Sequence, residues 1–530
     1  MSNSQYRSLL LPLLLMGFLF IPWLGELLFY SKGEPREAIV AVSMLDSGNW
    51  ILPVSFGQDI PYKPPFLAWL IAIASLIFNG GEVSEFTARF PSALAGVILL
   101  VATWRILVKR CGQDRAWVCM LLLATSFEFF RACLACRVDM VLTMCMVGAI
   151  YAIYTMKGRP RRVLWAVLLL SAATLTKGPV GTLLPCLAMG IYFLLRGQNF
   201  FSVFFRLTAV ALASFVIPAL WYYAAYLQGG DSFAALAWEE NIGRLTGSMG
   251  YESHINPWYY NFITVIAGML PWTVPVVVAF CLRKVRHSLR EAISTLNRKV
   301  DSFSILAWVA FLTIFVFYCI PESKRSVYLL PCYPFICYGA AYVLSRPGCR
   351  QLLLVWSRVL AVISIVAPIA LIVLSFVGLK GLPMWSPKWY QWLPAILPVL
   401  VGAWWLFTRR AGANGMFGSL LLTYVLLIGY SAAYAPMIMN PKSDKNIVAD
   451  IEAQIPESET ITTYIEQDSL LRYYTINFYM HDRLRLVEEN TSDTWLLTDT
   501  PTGEDTTRVR LLSKKSADTR RPIYLQAPRK

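Results

Sequence analysis

The stretch from Ser31 to Pro65 reads SKGEPREAIVAVSMLDSGNWILPVSFGQDIPYKPP and follows the first long apolar run of the chain. It carries acidic and basic side chains, among them Glu34, Glu37 and Lys63, in a protein that is otherwise poor in charge. A loop that only joined two membrane helices would need only a few residues. We therefore expect this stretch to lie on the outer face of a membrane and to help form a catalytic cavity there.

The composition is typical of a membrane protein. Of the 530 residues, 57% are hydrophobic and only 15% are charged, whereas about a quarter of an ordinary soluble domain is charged. Apolar runs of roughly 17–25 residues, the length that spans a bilayer as a helix, recur along most of the chain. The first run, Leu9–Leu28, lacks a small-residue cleavage site, so we expect it to be retained as a span. The predicted fold class is a polytopic α-helical membrane protein.

The apolar runs predict thirteen spans, at residues 9–30, 90–108, 116–131, 138–156, 162–176, 179–195, 207–227, 259–282, 302–320, 326–345, 352–378, 391–408 and 415–435. The run Pro65–Phe78 has only about fourteen residues, which is short for a span and favours a re-entrant or interfacial helix.

Basic residues set the predicted orientation. If Pro65–Phe78 does not span, one set of short loops carries Lys and Arg close to helix ends, which is typical of the cytoplasmic side. These residues are Arg105, Lys109, Arg110, Arg115, Lys157, Arg159, Arg161, Arg162, Arg196, Arg206, Arg283, Lys284, Arg286, Arg290, Arg346, Arg350, Arg409 and Arg410. The N-terminus is therefore expected in the cytoplasm. The formal net charge of +15 reflects this orientation, and nucleic acid is not a predicted partner.

The loops that carry most of the remaining charged and polar side chains are predicted to lie on the opposite, outer side. They are the opening loop 31–65, the segments 130–139, 176–179 and 321–328, a second large loop at 228–258, and the chain after about residue 436. Basic residues on this side run against the orientation rule, so we expect several of them to form an anion site. They are Lys63, Arg89, Arg131, Arg137, Lys177, Arg244, Lys324 and Arg325.

The composition changes near Asn440, where Asp, Glu, Ser and Thr become more frequent. Short β-rich runs at 460–465, 471–479 and 494–497 and a helix at 445–454 predict a small α/β domain, and the basic tail 514–530 is expected to be loosely ordered. The predicted division is a transmembrane domain at 1–438 and an outer α/β domain at 439–530.

Two carboxylates are candidates for acid–base chemistry. Glu34 lies just past the first span, in GEPREA, and Asp139 lies at the outer end of another span, in ACRVDMVLT. A carboxylate at a membrane interface can act as a general base. Placing an ionised group at the end of a membrane helix costs free energy, which suggests that the group has a function. The alternative is structural: Glu34 could pair with Arg36 or cap a helix, and Asp139 could do the same with Arg137.

Several basic and aromatic residues on the same side could hold a phosphate. Lys63 in YKPPF and Lys177 in LTKGPVG stand beside Pro or Gly at the start of apolar runs. Other candidates are Lys324, Arg325 and Tyr328 in PESKRSVY, Glu240, Asn241 and Arg244 in WEENIGR, and His254 in SHINPWYY. Converging donors of this kind stabilise the charge of a phosphate leaving group. Each alone could equally bind a lipid head group, and the spacing of His, Cys and acidic residues predicts no metal site.

The motifs GEPREA, SMLDSGNWILP, YKPPFLAWL, RVDM, LTKGPVG, WEENIGRLTG, HINPWYY, MLPW and ESKRSVYLLP occur in this order. As an ordered set, the chain resembles the polyprenyl-phosphate-sugar-dependent glycosyltransferases with the GT-C fold over about residues 5–435. It is most similar to the lipid A aminoarabinose transferases and the bacterial dolichyl-phosphate-mannose protein mannosyltransferase-like proteins. The resemblance implies an inverting enzyme of the bacterial inner membrane. Such an enzyme takes a sugar from undecaprenyl phosphate on the periplasmic side and passes it to a lipid, such as lipid A, or to a protein.

The resemblance also assigns roles to residues. Glu34 and Arg36 match the second acid and the Arg of the D-E-x-R-Y opening motif, Asp139 matches the acid of the second outer loop, and Lys63 matches the Lys of an E-K-P segment. The predicted catalytic residues are thus Glu34 and Asp139. The predicted donor-phosphate ligands are Lys63, Arg244, Lys324 and Tyr328. The supporting cavity residues are Arg36, Tyr62, Lys177, Glu240, His254 and Arg325.

The chain departs from the family pattern at three positions. Gly33 stands where the first Asp of the opening motif is expected, Tyr62 replaces a metal-associated Glu, and Asn241 replaces a His. If Gly33 is a true loss, Glu34 or Asp139 must do the work of that acid, or activity is altered. No cofactor is firmly implied, and a divalent metal lacks a supporting ligand spacing.

Two further hypotheses compete with the enzyme. A transporter or flippase for an anionic lipid-linked substrate would predict polar residues near mid-membrane and internal pseudo-symmetry. The spans are almost uncharged at their centres and show no repeat, which favours the enzyme. A non-catalytic binder of such a substrate gains support from Gly33.

Overall fold

The computed structural model describes residues 3–61, 63–243, 255–296, 302–377, 387–408, 414–456, 459–466, 471–489, 493–501 and 508–528. The described chain is mostly helical, and a small sheet lies near its C-terminus. The helices are α1 (Asn3–Phe20), α2 (Pro35–Ser47), α3 (Phe66–Phe78), α4 (Glu85–Cys111), α5 (Gln113–Ala124), α6 (Phe127–Cys133), α7 (Val138–Tyr154), α8 (Pro160–Lys177), α9 (Val180–Leu195), α10 (Phe200–Trp238), α11 (Tyr260–Gly268), α12 (Thr273–Cys281), α13 (Arg283–Leu296), α14 (Ser302–Cys319), α15 (Tyr333–Leu344), α16 (Arg350–Val377), α17 (Trp392–Phe407), α18 (Gly415–Gly429), α19 (Ala435–Met439), α20 (Lys445–Glu452) and α21 (Tyr474–Tyr479).

The helices confirm a multi-pass membrane protein but not the number of spans. Seven helices in the described part of the chain are long and apolar enough to cross a membrane, and two bent helix pairs bring the number to nine if each pair is one span. The predicted count of thirteen is therefore not confirmed. The difference lies partly in α7 and α9, which are shorter, and in α8, whose first turn carries Arg161 and Arg162.

Two predicted spans are broken in the structure. Helices α5 and α6 replace the span at 116–131 and meet at 69°, and α11 and α12 replace the span at 259–282 and meet at 101°. The two breaks face each other: Phe127 N donates to Leu270 O at 2.9 Å, and Trp272 Nε1 donates to Thr125 Oγ1 at 2.9 Å. The break at Leu270 thus satisfies the amide of Phe127, which has no helical partner at the start of α6, as non-helical backbone inside a membrane protein requires.

The opening loop is folded rather than open. Helix α2 begins at Pro35, whose ring presets φ for a first helical turn, and ends before Gly48, which has a left-handed φ of +69°. The apolar face of α2, including Ile39, is buried. A tight turn follows, in which Ser55 and Asp59 exchange backbone hydrogen bonds of 2.9 and 2.7 Å. The predicted loop is therefore a helix and a turn that shape one wall of a cavity.

Helix α4 brings a charge into the core. A capping box starts it: Thr87 N donates to Ser84 Oγ at 3.3 Å, and Ser84 N donates to Thr87 Oγ1 at 2.9 Å. Its 27 residues extend about 40 Å, enough to cross a bilayer core. Arg89 lies in its second turn and is only 1% exposed. A buried guanidinium needs a counter-charge, and the opening loop supplies one, as described below.

The C-terminal region forms a five-stranded sheet in the order β2-β1-β3-β5-β4. The strands are β1 (Ile461–Tyr464), β2 (Leu484–Leu486), β3 (Trp495–Thr498), β4 (Val509–Ser513) and β5 (Ile523–Gln526). Strand β1 pairs in parallel with β2 and β3, and β5 pairs antiparallel with β3 and β4. The α/β class, the strands near 460–465 and 494–497, and helix α20 were all expected.

Two expectations for this region are wrong. Part of the β-rich run 471–479 is helix α21, because Asp518 accepts hydrogen bonds from Thr475 N (2.6 Å) and Thr475 Oγ1 (2.8 Å) and so satisfies the first turn of a helix. The basic tail is also not loose: its residues Ile523–Gln526 form β5, which lies inside the sheet between β3 and β4. Backbone pairing over a long sequence separation orders this tail, and its charge pattern does not reveal such pairing.

Candidate active site

A cavity opens between the opening loop, α2, the start of α3 and the start of α7. Its polar lining comes from Arg36, Glu37 and Lys63, with Asp59 at the tight turn. Tyr474, from the C-terminal region, also lines it. The opening loop therefore places charged side chains from three of its parts in one cavity. These parts are α2, the tight turn and the Pro-rich segment before α3.

The first ion pair of the cavity joins α2 to the Pro-rich segment. Lys63 Nζ donates to Glu37 Oε1, and Arg36 Nη2 lies 3.5 Å from the same oxygen. Burial alone would raise the pKa of Glu37, but Lys63 and Arg36 outweigh it, so this pKa lies below its usual value. Burial lowers the pKa of Lys63, and Glu37 only partly opposes that effect. We expect the pair to be ionised, with an ammonium group that is poorly hydrated.

The second ion pair joins α7 to the end of α8. Lys177 Nζ donates to Asp139 Oδ1 at 2.7 Å, and the same nitrogen lies 3.9 Å from the ring centre of Tyr328. Asp139 is in the first turn of α7, where the helix dipole favours a carboxylate. Gly178 follows Lys177 with φ of +81°, and a Cβ there would clash with Asn241 Oδ1. Glycine suits this turn, because φ is left-handed and the segment that follows α10 approaches it closely.

The guanidinium groups of Arg137 and Arg325 are close enough to Asp139 to interact with it electrostatically. Arg137 and Lys63 both act electrostatically on Asp139, and Arg325 interacts with Asp139, Arg137 and Arg36. A Cβ added to Gly33 would lie 2.6 Å from Arg137 Nη2. The guanidinium of Arg137 therefore occupies the space that a side chain at position 33 would enter.

Glu34 belongs to a different arrangement, outside the lining of the cavity. Its carboxylate accepts two hydrogen bonds from Arg89, from Nε at 2.8 Å and from Nη2 at 3.0 Å, and one from Cys136 N at 2.9 Å. Arg89 Nη1 also donates to the carbonyl oxygens of Leu24 and Leu27. Burial would raise the pKa of Glu34, but Arg89 holds it below the usual value. This pair ties the segment after α1 to α2 and α4.

Known proteins share both the sequence features and the fold. The dolichyl-phosphate-mannose-protein mannosyltransferase family matches residues 62–222. An undecaprenyl phosphate-alpha-4-amino-4-deoxy-L-arabinose arabinosyl transferase of Proteus mirabilis is 26% identical over 74% of this chain and 70% of its own length. The corresponding Edwardsiella ictaluri protein is 25% identical over 87% of this chain and 82% of its own. The crystal structure of ArnT from Cupriavidus metallidurans bound to undecaprenyl phosphate superposes with a TM-score of 0.70, at 18% identity, over 99% of this chain and 98% of that chain.

The chain is a glycosyltransferase. The expected resemblance to GT-C fold enzymes is confirmed, and the small C-terminal sheet belongs to the superposed region.

The structure of this glycosyltransferase brings together six of the twelve predicted site residues. Arg36, Lys63, Asp139, Lys177, Tyr328 and Arg325 lie in or beside the cavity. Tyr62, Arg244 and His254 lie outside the described residues. Glu240 is half-buried in the π-helical turn Glu239–Gly243 that ends α10.

Lys324 is placed differently from the expectation. It is 5% exposed, and its ammonium group donates to the carbonyl oxygen of Asn256 at 3.3 Å, while Asn256 Nδ2 donates back to Lys324 O at 3.0 Å. These bonds extend the bridge between Ile255 and Ser323. In this structure, Lys324 joins the segment at 255–256 to the segment at 323–324.

Three residues were not assigned to the site from the sequence. Glu37 is the carboxylate that faces the cavity, Arg89 holds Glu34, and Arg137 fills the space beside Gly33. The sequence indicated Arg89 only as a basic residue on the expected outer side, and Arg137 also as a possible partner of Asp139. Glu37 lies three residues from Glu34 along the chain, so the sequence does not say which of the two acids faces the cavity and which faces the core.

The described donor set does not fit a metal ion. Within the described ranges, no group of three or more His, Cys, Asp or Glu side chains is close enough to hold one. The carboxylates of the site are instead neutralised by lysine and arginine, so the mechanism below uses only these side chains.

Proposed function

We propose that the enzyme transfers a sugar from an undecaprenyl-phosphate carrier to a lipid or protein acceptor, with inversion at the anomeric carbon, on the periplasmic face of the bacterial inner membrane. Two observations on similar proteins support the donor class. The relatives from Proteus mirabilis and Edwardsiella ictaluri are named for undecaprenyl phosphate-linked 4-amino-4-deoxy-L-arabinose, and ArnT from Cupriavidus metallidurans was crystallised with undecaprenyl phosphate.

The observation that carries the proposal is a surplus of positive charge in the cavity. Five cationic side chains interact with two carboxylates, Glu37 and Asp139, while the third carboxylate of the cavity, Asp59, is already paired with Arg472. The five are Arg36, Lys63, Arg137, Lys177 and Arg325. Excess charge at a membrane interface is costly, and a bound phosphate would neutralise it through charge-assisted hydrogen bonds. We call these five side chains the cationic cluster.

The ion pairs suggest how the donor binds. Lys63 and Lys177 each contact a carboxylate oxygen through a flexible ammonium group, which can rotate toward another anion. As the carrier phosphate enters, the two ammonium groups turn to its oxygens. The carboxylates then lose part of their counter-charge, and their affinity for a proton rises.

The chemical step follows from this exchange. An acceptor oxygen attacks the anomeric carbon and forms the new glycosidic bond, while the bond from that carbon to the phosphate oxygen breaks. Polyprenyl phosphate leaves with the electron pair, and the cationic cluster stabilises its charge. Asp139 takes the acceptor proton if the acceptor is a hydroxyl group. Glu34 has its oxygens engaged by Arg89 and the Cys136 amide, so we assign it a positioning role.

A second, smaller cavity adjoins the first and shares Lys63 with it. Trp221, Tyr222, Phe233 and Leu236 give this cavity an apolar lining. We assign it to the first isoprenoid units of the carrier, because Lys63 would then meet the phosphate where the apolar lining ends. In this assignment the basic loops face the cytoplasm, and both cavities and the C-terminal domain face the periplasm.

The test is sugar transfer by the purified full-length protein in lipid nanodiscs, with radiolabelled sugar on undecaprenyl phosphate and with lipid A or a protein as acceptor. Asp139→Asn should lower turnover by about 100-fold or more, within the range of general-base contributions. Asp450→Asn, in the exposed face of α20, is the matched control and should leave turnover unchanged. An Asp139→Asn variant with wild-type turnover would overturn the assignment of the base. Absence of transfer from every lipid-linked donor would overturn the proposed donor class.

A further inference from the structure

The C-terminal domain reaches into the cavity described above. Tyr474, at the start of α21, lines the same space as Arg36, Glu37 and Lys63. It is more than 400 positions away from those residues in sequence, so only the docking of the domain brings it there.

The opening loop is inserted into the domain at Phe56. This side chain is fully buried within the apolar cluster of the C-terminal domain, and its ring lies 5.6 Å from that of Tyr474 in an edge-to-face arrangement. Phe56 has a φ of +53°, an uncommon conformation for a residue with a side chain. The domain holds it in that conformation from both sides, because Phe56 N donates to Asp482 Oδ1 at 2.8 Å and Leu486 N donates to Phe56 O at 3.0 Å.

An ion pair fixes the next part of the loop. Arg472 donates two hydrogen bonds to Asp59, from Nε to Oδ2 at 2.9 Å and from Nη2 to Oδ1 at 3.2 Å. Asp59 ends the tight turn and lines the cavity, and Lys63 follows four residues later. A bidentate guanidinium–carboxylate pair fixes geometry more strictly than a single contact does. The position of Lys63 therefore depends on a contact made by the C-terminal domain.

We propose that the C-terminal domain completes the substrate cavity, with Tyr474 as a substrate-contacting residue and Arg472–Asp59 as the pair that positions Lys63. The inference rests on the proposed function, because it takes the ligand to be a polyprenyl-phosphate-linked sugar. The phenol ring of Tyr474 offers an apolar face and a hydroxyl group to the polar sugar, above the cations that hold the phosphate. A displacement of a positioning group by about 1 Å can lower a rate by about 100-fold.

The experiment measures two quantities on the full-length protein in nanodiscs: the Kd for undecaprenyl phosphate, and kcat and KM for sugar transfer. Asp59→Ala and Arg472→Ala should each raise the Kd by about tenfold. The exchanged variant Asp59→Arg with Arg472→Asp should recover most of that loss, because the two charges are kept near each other. Tyr474→Ala should raise KM for the lipid-linked sugar by about tenfold while the Kd for undecaprenyl phosphate, which has no sugar, stays within about twofold. Tyr474→Phe should lie between wild type and Tyr474→Ala.

Matched controls separate these effects from loss of folding. Arg521→Ala breaks another ion pair of the same domain, Arg521–Asp499 at 2.8 Å, and Tyr464→Ala removes a tyrosine from β1. Neither residue lines the cavity, so both variants should keep wild-type Kd and KM. The melting temperature of every variant shows which of them are folded.

The outcomes distinguish the inference from the function on which it rests. Wild-type Kd and KM in the Asp59, Arg472 and Tyr474 variants would overturn the inference and leave the glycosyl transfer intact. If the wild-type enzyme binds undecaprenyl phosphate but transfers no sugar, the proposed function fails, and the Kd series alone still decides whether the domain positions Lys63. A charge-exchanged variant as weak as the single variants would show that the ion pair has no positioning role.

Discussion

Two neighbouring groups of charges in this enzyme use the same kinds of side chain for different ends. Outside the lining of the cavity, Glu34 and Arg89 form a bidentate pair whose remaining hydrogen bonds go to backbone groups. In the cavity, Lys63 contacts Glu37, and Lys177 contacts Asp139, each through a single ammonium group. The first pair is saturated and holds three segments together. The second set carries excess positive charge, and its contacts can be exchanged for those of a substrate.

The largest expected effect breaks the saturated pair. Arg89→Met leaves the carboxylate of Glu34 buried without its partner, and removal of one member of a buried pair costs about 3–5 kcal/mol. We expect poor yield and a strongly lowered melting temperature in nanodiscs, with residual activity in proportion to the folded fraction. A stable Arg89→Met enzyme with low turnover per folded molecule would instead place this pair in the chemistry.

The next effect concerns an exchangeable pair. Lys63→Ala removes an ammonium group that we assign to the leaving phosphate, and loss of one such donor lowers turnover by about 100- to 1,000-fold. Arg36 still neutralises Glu37 in this variant, so the melting temperature should change little. The measurement is kcat for sugar transfer, with Lys388→Ala, an exposed lysine, as the matched control. Equal activities of the two variants would remove Lys63 from the site.

A smaller effect is expected when a carboxylate is added to the cationic cluster. In Gly33→Asp the new side chain meets Arg137 Nη2, which would lie 2.6 Å from its Cβ and must move aside. We expect the introduced carboxylate to pair with Arg137 and to raise the Kd for undecaprenyl phosphate by about five- to tenfold, because the cluster loses one unit of positive charge. Gly33→Asn, of nearly equal size, is the control for volume. Faster transfer by Gly33→Asp alone would show that position 33 is a site for a catalytic acid.

The smallest effect concerns the C-terminal domain and its pH dependence. Burial raises the pKa of the Asp518 carboxyl to about 7. A carboxyl whose pKa is raised by folding stabilises the domain at low pH, and this contribution is lost as the pH rises from about 4 through 7. The melting temperature should therefore fall by a few degrees, about 2–4 °C per kcal/mol, between about pH 5.5 and pH 8. The pKa of Glu34 is lowered, so its contribution changes only at lower pH. A melting temperature of Asp518→Asn that varies with pH as strongly as that of wild type would contradict this assignment.

The sequence predicted the class of fold and several of the segments that meet at the cavity, and the reasons are physical. Apolar runs and Lys/Arg placement report burial in lipid directly, so α4, α10, α14 and α16 were found. The number of spans was not recoverable in the same way. The break between α11 and α12 contains Pro271, whereas the break between α5 and α6 contains no proline and makes hydrogen bonds to a distant segment, such as Trp272 to Thr125.

The site shows the same limit at the level of single residues. The sequence indicated Asp139, Lys63 and Lys177 as candidate site residues because an ionised side chain near Pro, Gly or a helix end of an apolar chain costs free energy and is easily noticed. The sequence does not distinguish Glu34 from Glu37, because their different partners, Arg89 and Lys63, come from other parts of the chain. Tyr474 could not be found at all, because its place in the cavity depends on how the C-terminal domain docks.

A cryo-EM structure of the full-length enzyme in nanodiscs with undecaprenyl phosphate would show whether the phosphate displaces the two lysine–carboxylate contacts. We predict that the phosphate lies within hydrogen-bond distance of Lys63 and Lys177, that Glu37 and Asp139 no longer contact these ammonium groups, and that Glu34 still contacts Arg89. A phosphate bound elsewhere, with both lysine–carboxylate pairs intact, would contradict the exchange on which the proposed mechanism depends.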